Sequence, residues 1–233
     1  MNIGAYEEHV SIVKDLKMAD SFYEVREPFK EGFEEIYEKA KEENVTISTA
    51  KDFLNSLSKD ELSTLQNYTL LVNEINVDSL SNEGAYNLLL HHYEKYDFDN
   101  DGLVQNGEAK NLDLIPPNIP SNEKRAFVNS LNEMDEKDRF ITMVMTFPPR
   151  IYIEGVTNNA PDEKVYNYDS IVENIDRLLN PLPGEYVSSS IQETLKLFKE
   201  VFEKNYDEIT KKSEELNANL SNQSNISKAK INS

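Results

Sequence analysis

At 233 residues, with 43 acidic against 24 basic side chains and a formal net charge of −19, the chain is long enough to bury one large core or two small ones. Its averaged field repels phosphate backbones and anionic lipid headgroups, which argues against nucleic acid as a partner. The absence of cysteine excludes disulfides, thiol catalysis and cysteine-ligated zinc or iron–sulfur centres, and three histidines leave little scope for transition-metal chemistry.

No apolar run approaches the roughly 20 residues that span a bilayer, so membrane insertion is not expected. The opening segment Met1 to Tyr6 has neither a basic start nor an apolar run of roughly 7–15 residues, the marks of a cleavable secretory signal. The expected location is cytoplasmic, or outside the cell after export without a cleavable signal peptide. A composition rich in Asn, Lys, Ile and Glu matches bacterial proteins from AT-rich genomes.

Up to about residue 145, apolar side chains recur three and four positions apart, the period of amphipathic helices. Tyr6, Val10, Val13 and Leu16 form one stripe. Phe29, Phe33, Ile36, Tyr37 and Ala40 form a second, entered through Pro28, whose missing N–H is harmless at a helix start. A short helix over about Ala50 to Leu57 is followed by Ser58-Lys-Asp-Glu61, a capping box that opens a helix to about Asn76. Ser81 caps a helix carrying Ala85, Leu88, Leu89, Tyr93 and Tyr96 straight into an acidic loop.

Pro116, Pro117 and Pro120 make Leu114 to Pro120 a stiff extended connector. It closes a helical domain over 1–120 and opens a second region over 121–216, which begins with a helical unit from Ser121 to about Thr146, broken near Asp135. Thr146-Phe-Pro-Pro-Arg150 reads as another stiff connector, with a polyproline docking segment as the alternative. Period-two alternation in Arg150 to Glu154 and Lys164 to Tyr168 predicts a small β-hairpin near 150–168. Asp169 or Ser170 is expected to cap a helix to Asn180, and Ser190-Ile-Gln-Glu193 a long C-terminal helix with the stripe Ile191, Leu195, Phe198, Phe202, Tyr206 and Ile209. That stripe packs on its own domain or, alternatively, serves self-association or a partner. Residues 217–233 are too polar to offset the entropy of ordering and are expected to form a flexible tail. The fold class is mostly α.

The segment Asp97 to Glu108 carries the chemistry. Calcium takes six to eight oxygens at about 2.3–2.6 Å, so alternate side chains of a tight loop must turn inward. Asp97, Asp99 and Asp101 have that spacing, and Gly102 stands at the sharpest bend. The twelve residues match D-x-[DN]-x-[DN]-G-x5-E at each defined position, and here the chain resembles the EF-hand family. Leu89, Tyr93 and Tyr96 occupy the apolar positions of the incoming helix, and the resemblance covers Leu89 to Pro116.

The resemblance implies one Ca2+ held by the side chains of Asp97, Asp99 and Asp101, the main-chain carbonyl of Leu103 and both carboxylate oxygens of Glu108. Gln105 stands where a water is usually interposed, and Val104 where a short β-bridge to a neighbouring loop forms. Glu43 to Ser48 is the candidate degenerate partner hand, with Ile47 opposite Val104, although it lacks the acidic ligands. Beyond Glu108, Ala109 and Leu112 fit an outgoing helix that Pro116 cuts short. Two other readings stay open: a plain acidic connector, and a calcium loop outside an EF-hand fold. Four carboxylates in one loop repel unless protons or a cation neutralise them, which disfavours the connector.

His91, His92 and Glu94 precede the loop, but adjacent helical residues diverge and do not converge on a metal. His92 is expected to pack beside Tyr93, His91 to face water and His9 to be solvated. The expected function is that of a non-enzymatic calcium-binding protein whose ion orders a surface for a protein partner. It would act either as a sensor, with a dissociation constant of about 10⁻⁷ to 10⁻⁵ M, or as a permanently filled structural site. The alternative is an enzyme with a site in the 140–168 region, calcium only stabilising the fold.

Overall fold

The computed structural model describes residues 3–99, 101, 103–112, 115–116, 118–147 and 166–231, with side chains for the same residues apart from 3, 112 and 219–231. The chain is mostly helical, with a two-stranded antiparallel hairpin and a long C-terminal helix. It divides into two compact units, the first drawn mainly from Met1–Pro117 and the second from Asn118–Thr146 and Val165–Ser233. No described helix is long and apolar enough to cross a membrane.

The first unit contains α1 (Ile3–Val13), α2 (Asp20–Glu24), α3 (Lys30–Glu42), α4 (Ala50–Ser56), α5 (Lys59–Thr69) and α6 (Asn82–Leu88), followed by β1 (Leu103–Asn106) and β2 (Ala109–Leu112). Short 3-10 turns at Glu27–Phe29 and Val77–Ser79 lead into α3 and α6. Phe33, Ile36 and Ala40 of α3, Phe53 and Leu54 of α4, Leu65 of α5 and Leu88 of α6 form one apolar core. Ser58 caps α5 as expected: its Oγ accepts the Glu61 N–H, and Glu61 Oε2 accepts the Ser58 N–H. α5 nevertheless stops at Thr69 rather than near Asn76. Leu70 adopts a left-handed φ of 58°, and the N–H groups of Leu70 and Leu71 close back on the carbonyls of Asn67 and Gln66, a Schellman-type end.

α1 buries His9 and Ile12, and Leu16 is buried just beyond its end, so His9 belongs to the inward face and not to water. The helix expected to run from Ser81 into the acidic loop ends at Leu88, and residues 92–94 form a turn. The outgoing helix expected after Glu108 is replaced by β2, which pairs with β1 in the register Leu103↔Leu112 to Asn106↔Ala109. Gly107, at a φ of 63°, is the first residue of the two-residue turn, the position where a type II′ hairpin needs glycine. Val104 faces Asn111 of its own hairpin and not Ile47, whose segment is a turn between α3 and α4.

In the second unit, α7 (Ser121–Glu133) and α8 (Glu136–Thr146) break where expected. The buried Arg139 donates to the carbonyls of Leu131 and Met134 at 3.0 and 3.1 Å, satisfying the end of α7, and Asp135 Oδ1 accepts the Asp138 N–H to start α8. α9 (Tyr168–Leu179) is capped by Asn167, two or three residues before the expected Asp169 or Ser170, and Tyr168 opens this helix instead of closing a strand. Tyr166 and Asn167 likewise form no strand, and residues 150–165 of the expected hairpin lie outside the described residues. α10 (Ser189–Ile231) starts from Ser188, whose Oγ accepts the Ile191 N–H, and continues as helix through the segment expected to be a tail. Its Leu195, Phe198 and Phe202 are fully buried, with Phe127 of α7 stacked edge-on at 5.2 Å from Phe198, so this part of the stripe packs within its own unit.

Candidate metal centre

Helix α6 is the platform of the site. Glu83 and Asn87 stand one turn apart and therefore share a face. Both are buried, at 2% and 0% exposure, although their polarity alone predicts a solvated surface. Glu83 Oε2 accepts the N–H groups of Phe98 and Asp99 at 2.6 and 3.1 Å, and its Oε1 accepts the Gln105 N–H at 2.8 Å. Asn87 donates to the carbonyls of Tyr96 and Gln105 at 2.9 and 2.7 Å and accepts the Tyr96 N–H. One helical face thus grips the acidic loop at both its entrance and its exit.

The backbone completes that grip. Gly84 O accepts the Gly107 N–H at 2.9 Å, and a Cβ at Gly84 would lie 2.2 Å from Gly107 O, so only glycine permits the approach. Ser81 Oγ caps α6 by accepting the Gly84 N–H and donates to Gln105 Oε1 at 2.6 Å. Lys95, whose pKa is lowered to about 7 chiefly by burial, donates to Asn106 Oδ1 at 2.9 Å. The turn before the loop is fixed by Glu94, which accepts the His91 N–H and the Tyr37 hydroxyl on its carboxylate and the Tyr6 hydroxyl on its carbonyl.

Glu83, Asp97 and Asp99 each offer a carboxylate oxygen, and the three lie within 4.8 Å of one another. Two oxygens on opposite sides of a calcium ion at about 2.4 Å are separated by about 4.8 Å, so the cluster has the dimensions of a calcium coordination shell. Asp97 Oδ1 and Asp99 Oδ1 both accept the Asp101 N–H, at 3.2 and 3.1 Å, which keeps the loop curled with alternate side chains turned to one side. The Glu83 pKa is raised first by burial and further by Asp99, against the three N–H bonds that pull it down. At an effective dielectric of about 20, two carboxylates at this separation repel by about 3 kcal/mol, less where Asp99 is exposed to solvent. A divalent cation converts that repulsion into attraction. The donor set is all oxygen, the chemistry of a hard cation.

Of the ligands implied by the loop motif, Asp97 and Asp99 are brought together, whereas the side chains of Asp101 and Glu108 are not part of that cluster. Asp101 directs Oδ1 to the Leu103 N–H at 2.8 Å and is not one of the three clustered carboxylates. Leu103 opens β1. Glu108 occupies the exposed hairpin turn, where it accepts a hydrogen bond from the Ser79 hydroxyl. The cause is the strand: once the chain enters β1 and reverses at Gly107, the twelfth motif residue lands on the turn. Gly102 lies outside the described residues.

Glu83 was not recognisable as a loop partner from the motif. The signal it left is a Glu and an Asn spaced by four in a short helix that buries five of its seven residues. Among the histidines, His92 packs edge-on against Tyr93 as expected, at 5.1 Å, and against Phe22 at 4.8 Å. His91 does not face water: its side chain is 13% exposed and stacks on Tyr93. His9 packs edge-on against Tyr96. Most of the 140–168 region lies outside the described residues. No protein-family model, curated protein or solved structure matches the chain.

Proposed function

We propose that the chain binds one divalent cation, calcium by preference, between Glu83, Asp97 and Asp99. In this reading Glu83, reaching in from α6, replaces Glu108 as the closing carboxylate, so the motif works as a calcium loop outside an EF-hand fold. The observation that carries it is the convergence of three carboxylates from two separate segments, one of them buried. Calcium is favoured over magnesium because magnesium demands a near-ideal octahedron at about 2.0–2.1 Å, which a cluster pinned by main-chain amides does not adjust to provide.

The ion's role is structural and non-catalytic: it fastens α6, the loop and the β-hairpin into one element that presents a surface to a protein partner. The dense hydrogen bonding around Glu83 and Asn87 supports a preformed site over a sensor that opens on binding. Isothermal titration of the full chain tests the reading. It expects one calcium per chain, weaker magnesium binding, and loss of both in Asp97→Asn and Asp99→Asn. No calcium-dependent heat or melting shift at millimolar metal overturns it.

A further inference from the structure

The hairpin turn hangs from the same helix as the cation site. Glu83 Oε1 holds the Gln105 amide, Gly84 O holds the Gly107 amide, and Asn87 holds the Gln105 carbonyl. On its other side the turn presses on Leu71, whose Cδ1 lies 2.7 Å from where a Gly107 Cβ would stand, and Glu108 accepts the Ser79 hydroxyl. Glu108 and Ala109 then form, with residues 70–76, the wall of a surface groove.

We infer that cation occupancy latches the hairpin turn onto α6 and the 71–79 segment, and so sets the shape of that groove. The inference rests on the proposed cation site and adds the direction in which it acts. Glu83 is shared between the two: its Oε2 faces the loop amides and its Oε1 carries β1. Without a cation, repulsion from Asp97 and Asp99 bears on the one carboxylate that anchors the hairpin. With a cation that repulsion is gone, and the turn is held more firmly in its seat on Gly84. Coupling of this kind is reciprocal, so a lesion that unseats the turn must weaken cation binding.

Amide hydrogen exchange followed by NMR on the full chain, in calcium and in EDTA, tests the latch. The expected result is exchange slowed about tenfold or more at Gln105 and Gly107, as well as at Phe98 and Asp99, on adding calcium. Gly84→Ala, which adds no ligand and removes none, is expected to weaken calcium binding about tenfold by pushing off the Gly107 carbonyl. Should Gly84→Ala fail to fold, Ser79→Ala, which removes the Glu108 contact together with a local bond to the Asn76 carbonyl, is expected to weaken calcium severalfold. Calcium binding that protects 98–99 but leaves 105 and 107 unchanged overturns the latch, as does wild-type calcium affinity in either folded variant. An absence of calcium binding in the wild type is a different failure: it overturns the cation site, and the latch with it.

Discussion

Glu83→Gln separates the observed task of this side chain, anchoring the loop, from the proposed one, holding the ion. The carboxylate accepts three main-chain N–H groups, two on one oxygen and one on the other. Glutamine has one carbonyl oxygen, so with that oxygen on the Phe98 side its NH2 confronts the Gln105 N–H. A buried donor left unsatisfied costs about 1–3 kcal/mol, and the two retained bonds weaken because their acceptor is neutral. Relief of repulsion from Asp97 and Asp99 offsets part of this, leaving a loss of about 2 kcal/mol in EDTA. In calcium at a hundredfold excess over the dissociation constant, the wild type gains about 2.7 kcal/mol while the variant gains almost nothing, so the gap widens to about 5 kcal/mol. Thermal unfolding by circular dichroism in EDTA and in calcium reads both. A variant that gains as much from calcium as the wild type would show that Glu83 is no ligand. One that melts with the wild type in EDTA would show that the three bonds contribute nothing.

Gly107→Ala places a Cβ at a φ of 63° and 2.7 Å from the flexible end of Leu71, and is expected to cost about 1–2 kcal/mol; an unchanged urea midpoint contradicts the turn geometry. The His92 pKa is lowered from 6.5 to about 4, first by burial and then by Lys95, Arg26 and His91. A depressed folded-state value means the unfolded chain takes the proton more readily, so stability is full above about pH 6.5 and falls toward pH 4, by on the order of 2–3 kcal/mol. His92→Phe should flatten urea midpoints over that window, and an unaltered slope would assign the dependence to other groups. Phe198→Ala opens the core of the second unit, where this ring is fully buried, and is expected to cost about 3–5 kcal/mol while calcium affinity stays at the wild-type value; a large loss of affinity refutes that independence.

How far the fold could be read from sequence differs from element to element, for physical reasons. Local signals carried the Ser58 box and the α7–α8 break, because each is satisfied by residues within one turn of the boundary. The end of α5 was hidden because a leucine, not a glycine, takes the left-handed position. The hairpin was masked by a longer pattern: fitting all twelve positions to a known loop demanded a helix after Glu108, while Asn106-Gly107 is itself a hairpin signal. The convergence of Asp97 and Asp99 was legible because the loop alone turns them to one side. Glu83 was not, because its place depends on how α6 docks against the loop, and charge on a short helix ordinarily marks a wet face. The histidines went the same way: His9 packs on Tyr96, far away in sequence, and His91 stacks on Tyr93, two residues on.

A crystal structure grown in calcium, with the ion located by its anomalous scattering, puts the account to its most direct test. The expected result is a single ion with a Glu83 oxygen and oxygens of Asp97 and Asp99 at about 2.3–2.6 Å, and β1 and β2 still paired beside it. An ion closed by both oxygens of Glu108, with Glu83 left on its main-chain amides alone, contradicts it.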